Sequence, residues 1–478
     1  MVLYGGVEIV GHPNPLNVQR LDLLPVPMIR RMMRTGVAID KEWLQDLSLS
    51  LESTKIDLRK QITSYIPAER LDEFVSESGD DLSFNVESAD QIADLLFNML
   101  GVGLGRKLKR TKGGKRISTD KKALETMKRD HPIIPLILQY RETSKLKGTF
   151  CDKLPLRAVL HNGGKCKLCN LTHFGDHWRT HCTINTTRTV AGRLSMKDDN
   201  LQQIPARTKA GKEVRKGFVA APGCKLVTRD FSQLHLRLLA HLANEEVMIA
   251  VFERDGDIHI ETAMRAFGID DPKKVDKSTQ RDPSKTAIFL TIYGGGAATL
   301  LDTLILNFAL AGTTPPDWLT FDWCQDFIEK TYSIYPGVPK YFDLQHYRAM
   351  RYDVTWDPFG RARRIPEVHS CHDRVIAAGL RQAGNHPIIG FEAGLAKIAM
   401  ARVEDLVMQP LRAEGVHAEA IIPVHDEIVF EVLDGWEDEV GELVGYQMTN
   451  ALRDEDSGEY RCRVEIKTDG KASERWTK

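Results

Sequence analysis

AEAIIPVHDEIVFEVL, residues 418–433, is two apolar runs set around His425-Asp426-Glu427. Runs rich in β-branched residues with a short polar break predict a β-hairpin, with its acids at the tip. A third apolar strand, KLVTR at 225–229, runs into Asp230. A carboxylate at the end of a buried strand is costly unless it is paired or bound to a metal. Asp230 and Asp426 brought together would repel, and a divalent cation would relieve the repulsion. Oxygen ligands favour magnesium, held by one or two carboxylates plus substrate phosphates. Two such ions clamp an in-line phosphoryl displacement.

Outward from the hairpin, RDPSKTAIFLTIYG at 281–294 carries the complementary chemistry. Arg281, Lys285, Phe289 and Tyr293 recur every four residues. On a helix each such step drifts by only about 40°, so the four share one face. Two cations followed by two rings suit a nucleoside triphosphate: phosphates on Arg and Lys, sugar and base against the rings. Asp282 and Pro283 read as N-cap and first helical residue, leaving Arg281 just outside. The Gly294-Gly295-Gly296 run ends the element. The alternative is an ordinary amphipathic helix with salt-bridging cations. No Walker P-loop is present, which excludes an ordinary P-loop ATPase.

The chain has 478 residues, a formal net charge of −1 and 42% hydrophobic residues, so global charge argues for no partner and any nucleic-acid surface must be local. Its eight cysteines are too few for a disulfide scaffold in a chain this long, and no apolar run is long enough for a membrane span. Residues 1–20 are rich in turn formers and read as a leader. Helical patterning continues from there to about Ile66, broken at Gly36, with Asp40 as an N-cap. Another helical unit runs from Phe84 to Leu100. Between Arg106 and Lys122 lie nine Lys/Arg and one acid. That stretch is either a solvated face or a loop gripping phosphates. Asp120 caps a helix, and a second long helix spans Ile133 to about Lys147. HNGGKCKLCNLTHFGDHWRTHC at 161–182 is either a decorated β-hairpin or a structural zinc site with Cys166, Cys169, His177 and His181 as ligands. Strand leads to helix after Asp230, helix dominates 245–350, a hairpin is expected over 354–366, and helix returns over 376–415. The mixture is α+β.

These residues also carry a resemblance. RxxxKxxxFxxxYG (Arg281 to Gly294), DFSQLHLR (Asp230 to Arg237) and VHDE (Val424 to Glu427) stand in the order of the three polymerase motifs of family A DNA polymerases, the polymerase I type. VAGRLSMKDDNLQQIP, GDIHIETA, FGRARRIPE and LRQAGNHPIIG resemble further blocks of that family. The resemblance covers about residues 21–478. It implies a right-hand fold, with a thumb, a palm built on an antiparallel sheet and helical fingers. The boundaries it suggests are a leader over 1–22, thumb and palm entry over 23–150, palm over 151–245 and 367–478, and fingers over 246–366. It implies a template-directed DNA polymerase that adds dNTPs to a primer 3′-OH using two Mg2+ ions held by Asp230 and Asp426, with Glu427 supporting them. Arg281, Lys285 and His259 would meet the triphosphate. Phe289, Tyr293, Gln233 and His235 would shape the nucleotide pocket, with Arg237 lining the site. Arg193, Gln202, Arg381, Asn385 and His425 would contact primer–template, and Lys109, Arg110, Lys112 and Lys115 would grip DNA phosphates at the thumb tip.

The chain departs from the family at three places. His235 replaces the glutamate that acts there as a gate against a ribose 2′-OH, Ile389 replaces a glutamine that reaches the minor groove, and Phe289 in place of tyrosine implies poor use of dideoxynucleotides. Only about 20 residues precede the thumb, too few for a domain. The expectation is therefore a phage-like polymerase without its own 3′–5′ exonuclease, monomeric and cytoplasmic, served by a separate exonuclease or processivity factor. The rivals are a sugar-tolerant or RNA-copying polymerase of the same fold and a non-catalytic primer–template binding subunit.

Overall fold

The computed structural model describes residues 2–74, 83–103, 110–111, 116–128, 130–167, 172–173, 175–206, 208–310 and 313–477. Lys109, Lys112, Lys115 and Cys169 lie outside the described residues. Helix α1 (Lys41–Thr63) starts where Asp40 caps it, its carboxylate accepting the Trp43 amide at 2.8 Å. Helix α2 (Ile133–Leu146) packs along it. Strand β1 (Cys224–Phe231) turns into α3 (Leu234–Leu242), followed by α4 (Ile258–Phe267), α5 (Asp282–Ile292) and the long α6 (Asp373–Val403). The chain closes with β2 (Ala418–Val424), β3 (Glu427–Leu433), α7 (Glu437–Thr449) and β4 (Thr468–Ser473).

The four strands form one antiparallel sheet in the order β2-β3-β1-β4. Every residue of β2 is buried. This is the reading of a strand covered on both faces: helix Val26–Thr35 packs on β2, while α7 packs on β1 and β4. The main core runs through the sheet and the long α6. A second core, with Leu58, Ile62, Phe84, Ile92, Leu124 and Ile134, is separate from it. Helices α1 and α2 join the two, since Leu44, Leu51 and Leu146 belong to the main core. The expected 354–366 hairpin is present, with Val354–Trp356 paired to Ala362–Arg364. It lies against α6 so closely that a Cβ at Gly394 would stand 2.2 Å from the Phe359 ring. Glycine is required at that approach.

Two expectations are corrected. Residues 2–22, expected as a leader, pack into the main fold. Val2–Leu3 pairs with Val7–Glu8, and Leu3 and Val7 are fully buried in the main core. The Asn17 amide donates to the carbonyls of Glu8 at 2.7 Å and Phe359 at 2.9 Å, while Asp22 pairs with Arg361 and Lys397. The segment's pieces are too short to display a hydrophobic period, so turn formers dominated the reading. The second correction concerns the cap of α5. A π-helical turn, Lys277–Arg281, leads into it, and Asp276 is the cap, accepting the Thr279 amide at 2.7 Å. Asp282 is already helical and Arg281 is held within the helical run.

His386, on α6, supplies a pH-dependent contribution to stability. Burial, opposed by its 2.9 Å hydrogen bond with the Arg361 carbonyl, holds the ring neutral down to about 4 instead of 6.5. The unfolded chain takes up that proton earlier, so this contribution is full above pH 6.5 and is lost as pH falls toward 4. The expected size is up to about 3 kcal/mol. His386→Gln should flatten the dependence of unfolding free energy on pH in that window, measured by denaturant titration against the unmodified chain. An unchanged slope contradicts the assignment.

Candidate active site

Pairing of β1 with β3 brings the predicted acids together. Asp230 stands opposite Glu427, and the Phe231 amide donates to the Asp426 carbonyl at 3.2 Å. On its other side Asp230 faces Asp469 of β4, an acid the motifs did not single out. Val424 pairs with Glu427, so the turn is His425-Asp426 alone and Glu427 belongs to the strand rather than the tip. His425 has φ 58°, and Gln233, in the turn leaving β1, has φ 50°. Left-handed backbone at non-glycine residues is costly and gathers at functional sites. Here it flanks both aspartates. Asp230 and Asp426 are partly exposed, whereas Glu427 is 2% exposed and accepts the Trp476 indole N–H at 2.9 Å. Asp230 and Asp426 thus offer carboxylate oxygens at this strand end, and oxygen ligands fit Mg2+.

The face of α5 is half engaged. Arg281 donates to Asp257 through Nε at 3.0 Å and Nη2 at 2.5 Å. Asp257 also caps α4, accepting the His259 amide at 2.8 Å. Lys285 is exposed, with no ion pair among the described residues. His259, expected beside the phosphates, is instead 1% exposed, with its ring 5.7 Å from that of Phe289. Burial is the main cause that lowers its pKa to about 4, so the ring is neutral. Tyr293 bonds through its hydroxyl to His235 Nδ1, and its carbonyl accepts from Asn385 Nδ2 at 3.4 Å. The stem of Arg381 lies over Gly294.

Arg193, Gln202, His425 and Asp426 line one cleft beside Glu392. Gln202 donates to the Pro423 carbonyl at 3.0 Å. Arg193, expected on DNA, is bound to Glu392 at 2.5 Å. Glu392 was missed, although a lone acid in the apolar run IIGFEAGLAKIAMA was a usable signal. Asp257 was missed because its partner lies in another helix. Arg237 does not line the site. It is 3% exposed, donates to the carbonyls of Ser232 at 3.0 Å and Glu465 at 2.7 Å, and stacks over Phe252. Arg110 forms a β-bridge with Ile117, remote in sequence from these groups.

Within the Cys/His segment Gly164–Lys165 pairs antiparallel with Thr172–His173. Of the predicted zinc set, Cys169 lies outside the described residues, and Cys166 Sγ stands 3.3 Å from His161 Nδ1. His177 commits both nitrogens, Nδ1 to the Gly175 carbonyl at 2.9 Å and Nε2 to Arg179 Nε at 2.7 Å. His181 faces His161 at 3.2 Å and the Met33 carbonyl at 3.0 Å. The residues with metal-ligand spacing among those described are Cys224, His417 and Glu431. Glu431 is already neutralised by Arg179 and accepts from the Ala221 amide.

Residues 30–478 match the family model described as DNA polymerase family A. The chain is similar to DNA polymerase I of Deinococcus radiodurans, 33% identical over 428 residues, which is 89% of this chain and 39% of that protein. It is similar to the thermostable DNA polymerase I of Thermus thermophilus, 36% identical over 406 residues, covering 84% of this chain and 42% of that one. The chain thus spans about 40% of the length of these relatives. Among solved structures it resembles the POL domain of Pol1 from M. smegmatis in complex with DNA primer-template and dNTP, with a TM-score of 0.74 and 27% identity over 96% of this chain and 72% of that one. No described helix is long and apolar enough to cross a membrane.

Proposed function

Since this chain belongs to the family A DNA polymerases, we propose that it extends a primer 3′-OH on a DNA template with deoxynucleoside triphosphates. The observation that carries this reading is the meeting of Asp230 and Asp426 at the end of the β1–β3 ladder, in a chain whose α5 presents cations and rings in sequence. The primer 3′ oxygen forms a bond to the α-phosphorus, the bond from that phosphorus to the bridging oxygen breaks, pyrophosphate leaves, and the 3′ proton passes to solvent. Asp230 and Asp426 are the residues that would hold Mg2+. When bound, these ions supply charge stabilisation to the attacking and leaving oxygens. Glu427, fixed by Trp476, braces the acid cluster from behind.

Lys285 meets the triphosphate as a point charge. Arg281 joins it by exchanging Asp257 for phosphate oxygens, a trade between two anionic partners. Phe289 and Tyr293 form the base and sugar wall, with His235 behind Tyr293. Gln233 stands at the turn between acids and pocket. The cleft of Arg193, Gln202 and His425 receives the primer–template end, with Arg381 and Asn385 along α6 beside it. The lobe around the second core acts as the thumb, the sheet with α6 and α7 as the palm, and α4, α5 and their neighbours as the fingers.

Lys285→Ala separates nucleotide binding from DNA binding. The expected result is a rise of about 10–100-fold in KM for dNTP, the loss of one or two charge-assisted contacts. The Kd for primer–template, measured by fluorescence anisotropy, should stay within about twofold. Equal weakening of both would contradict the assignment of α5 to the nucleotide.

A further inference from the structure

At the end of the nucleotide face a histidine sits between a phenol and a buried carboxylate. His235 Nε2 lies 2.6 Å from Glu392 Oε2, and Tyr293 bonds to the other ring nitrogen, Nδ1. Arg193 Nη2 reaches the same Oε2 at 2.5 Å, and its Nε lies 3.1 Å away. Glu392 has a side-chain exposure of 3% and makes no other hydrogen bond among the described residues. Burial opposes its ionisation, but the hydrogen bond from His235 and the Arg193 guanidinium outweigh that and hold the carboxyl below its ordinary range.

An ionised carboxylate only accepts hydrogen bonds. Arg193 Nη2 also stands 3.0 Å from Nε2, but it donates to Oε2 at the shorter 2.5 Å. A bare Nε2 would set its lone pair 2.6 Å from the carboxylate, so the shorter, charge-assisted contact puts the proton on Nε2. In a neutral imidazole this leaves Nδ1 as a lone pair, aimed at the Tyr293 hydroxyl. Among the described residues no carboxylate hydrogen-bonds to the phenol, which is placed to donate to a bare Nδ1. We propose that Glu392 is a positioning residue for sugar selection: it locks His235 as the Nε2–H tautomer, so that His235 accepts from Tyr293 and fixes that ring against the sugar of the incoming nucleotide. The inference rests on the polymerase reading above and names the device that sets its sugar specificity. It makes His235 a relay. The acceptor function is set by a carboxylate on α6, and Arg193 is part of the same unit.

Two readouts test it. In protein labelled with 15N-histidine, the His235 ring signals, assigned by their loss in His235→Gln, should show a bare Nδ1 and a protonated Nε2 at neutral pH. Glu392→Gln, which keeps shape and can donate, should abolish that pattern. A proton on Nδ1, a doubly protonated ring, or a spectrum unchanged by Glu392→Gln would overturn the relay. In primer extension, the ratio of kcat/KM for dNTP over rNTP should fall about tenfold in Glu392→Gln and in Glu392→Ala, the size of one misdirected hydrogen bond. The double variant His235→Glu/Glu392→Ala, which puts a carboxylate directly beside Tyr293, should recover it. A purely structural role would lower both substrates alike and leave the ratio unchanged, which would also overturn the proposal. Failure of the unmodified chain to use either nucleotide would defeat the polymerase reading, while the ring spectrum would still decide the relay.

Discussion

Asp426→Asn is expected to lower template-directed dNTP incorporation by at least about 10³-fold, the equivalent of several kcal/mol of lost charge stabilisation. The carboxylate sits in a two-residue turn whose backbone is already constrained, with His425 at φ 58° on one side and Glu427 anchored to Trp476 on the other. Asparagine keeps the shape and removes the charge, so the turn and the β2–β3 pairing survive. Asp230→Asn should behave the same way, because Asp230 is fixed on the neighbouring strand opposite Glu427. Single-turnover extension of a labelled primer checks both, with circular dichroism confirming the fold. Losses smaller than about tenfold would mean that the acids do not act at the reacting phosphorus.

The second large effect concerns stability. Glu431→Ala is expected to cost about 3–5 kcal/mol of unfolding free energy. Arg179 and Glu431 form an ion pair with no exposure on either side chain. It ties strand His177–Thr180 to β3, with His417 at 3.0 Å on the same carboxylate. Burial opposes ionisation of Glu431, and Arg179, His417 and the Ala221 amide outweigh it, so the group stays charged well below the ordinary carboxylate range. Truncating it strands a guanidinium whose remaining partners are His177 and the carbonyls of Thr35 and Gly36. Removing both charges, as in Arg179→Met/Glu431→Leu, should cost less than the single change, since no uncompensated charge remains buried. Urea unfolding of the three proteins measures this. A loss under about 1 kcal/mol for Glu431→Ala would show the pair to be solvated in solution.

Elements whose local signals agree were legible in the amino-acid order. Asp40 and Asp120 cap the helices directly after them, and α2 begins at Ile133 as its apolar period suggests. The 418–433 hairpin and the strand ending near Asp230 carry enough β-branched residues to be read directly, and they set the acid cluster. What was hidden depends on partners distant in the chain. Glu392 acquires its role only from His235 and Arg193, and Arg281 is held by an aspartate one helix away. The N-terminal ribbon was invisible because two-residue strands have no period, and Asp276 was passed over because the π turn shifts the start of the helix by five residues. His177, a candidate ligand by spacing, stands on a strand that sets it against Arg179, a partner its spacing does not reveal.

The most direct measurement is single-nucleotide extension by the unmodified chain, with Mg2+, of a labelled primer on four templates that differ only in the first unpaired base. The account predicts addition of one nucleotide, chosen by the template base, with pyrophosphate released in equal amount. Primer–template bound tightly but never extended would contradict it, and would make the chain a binding subunit rather than a polymerase.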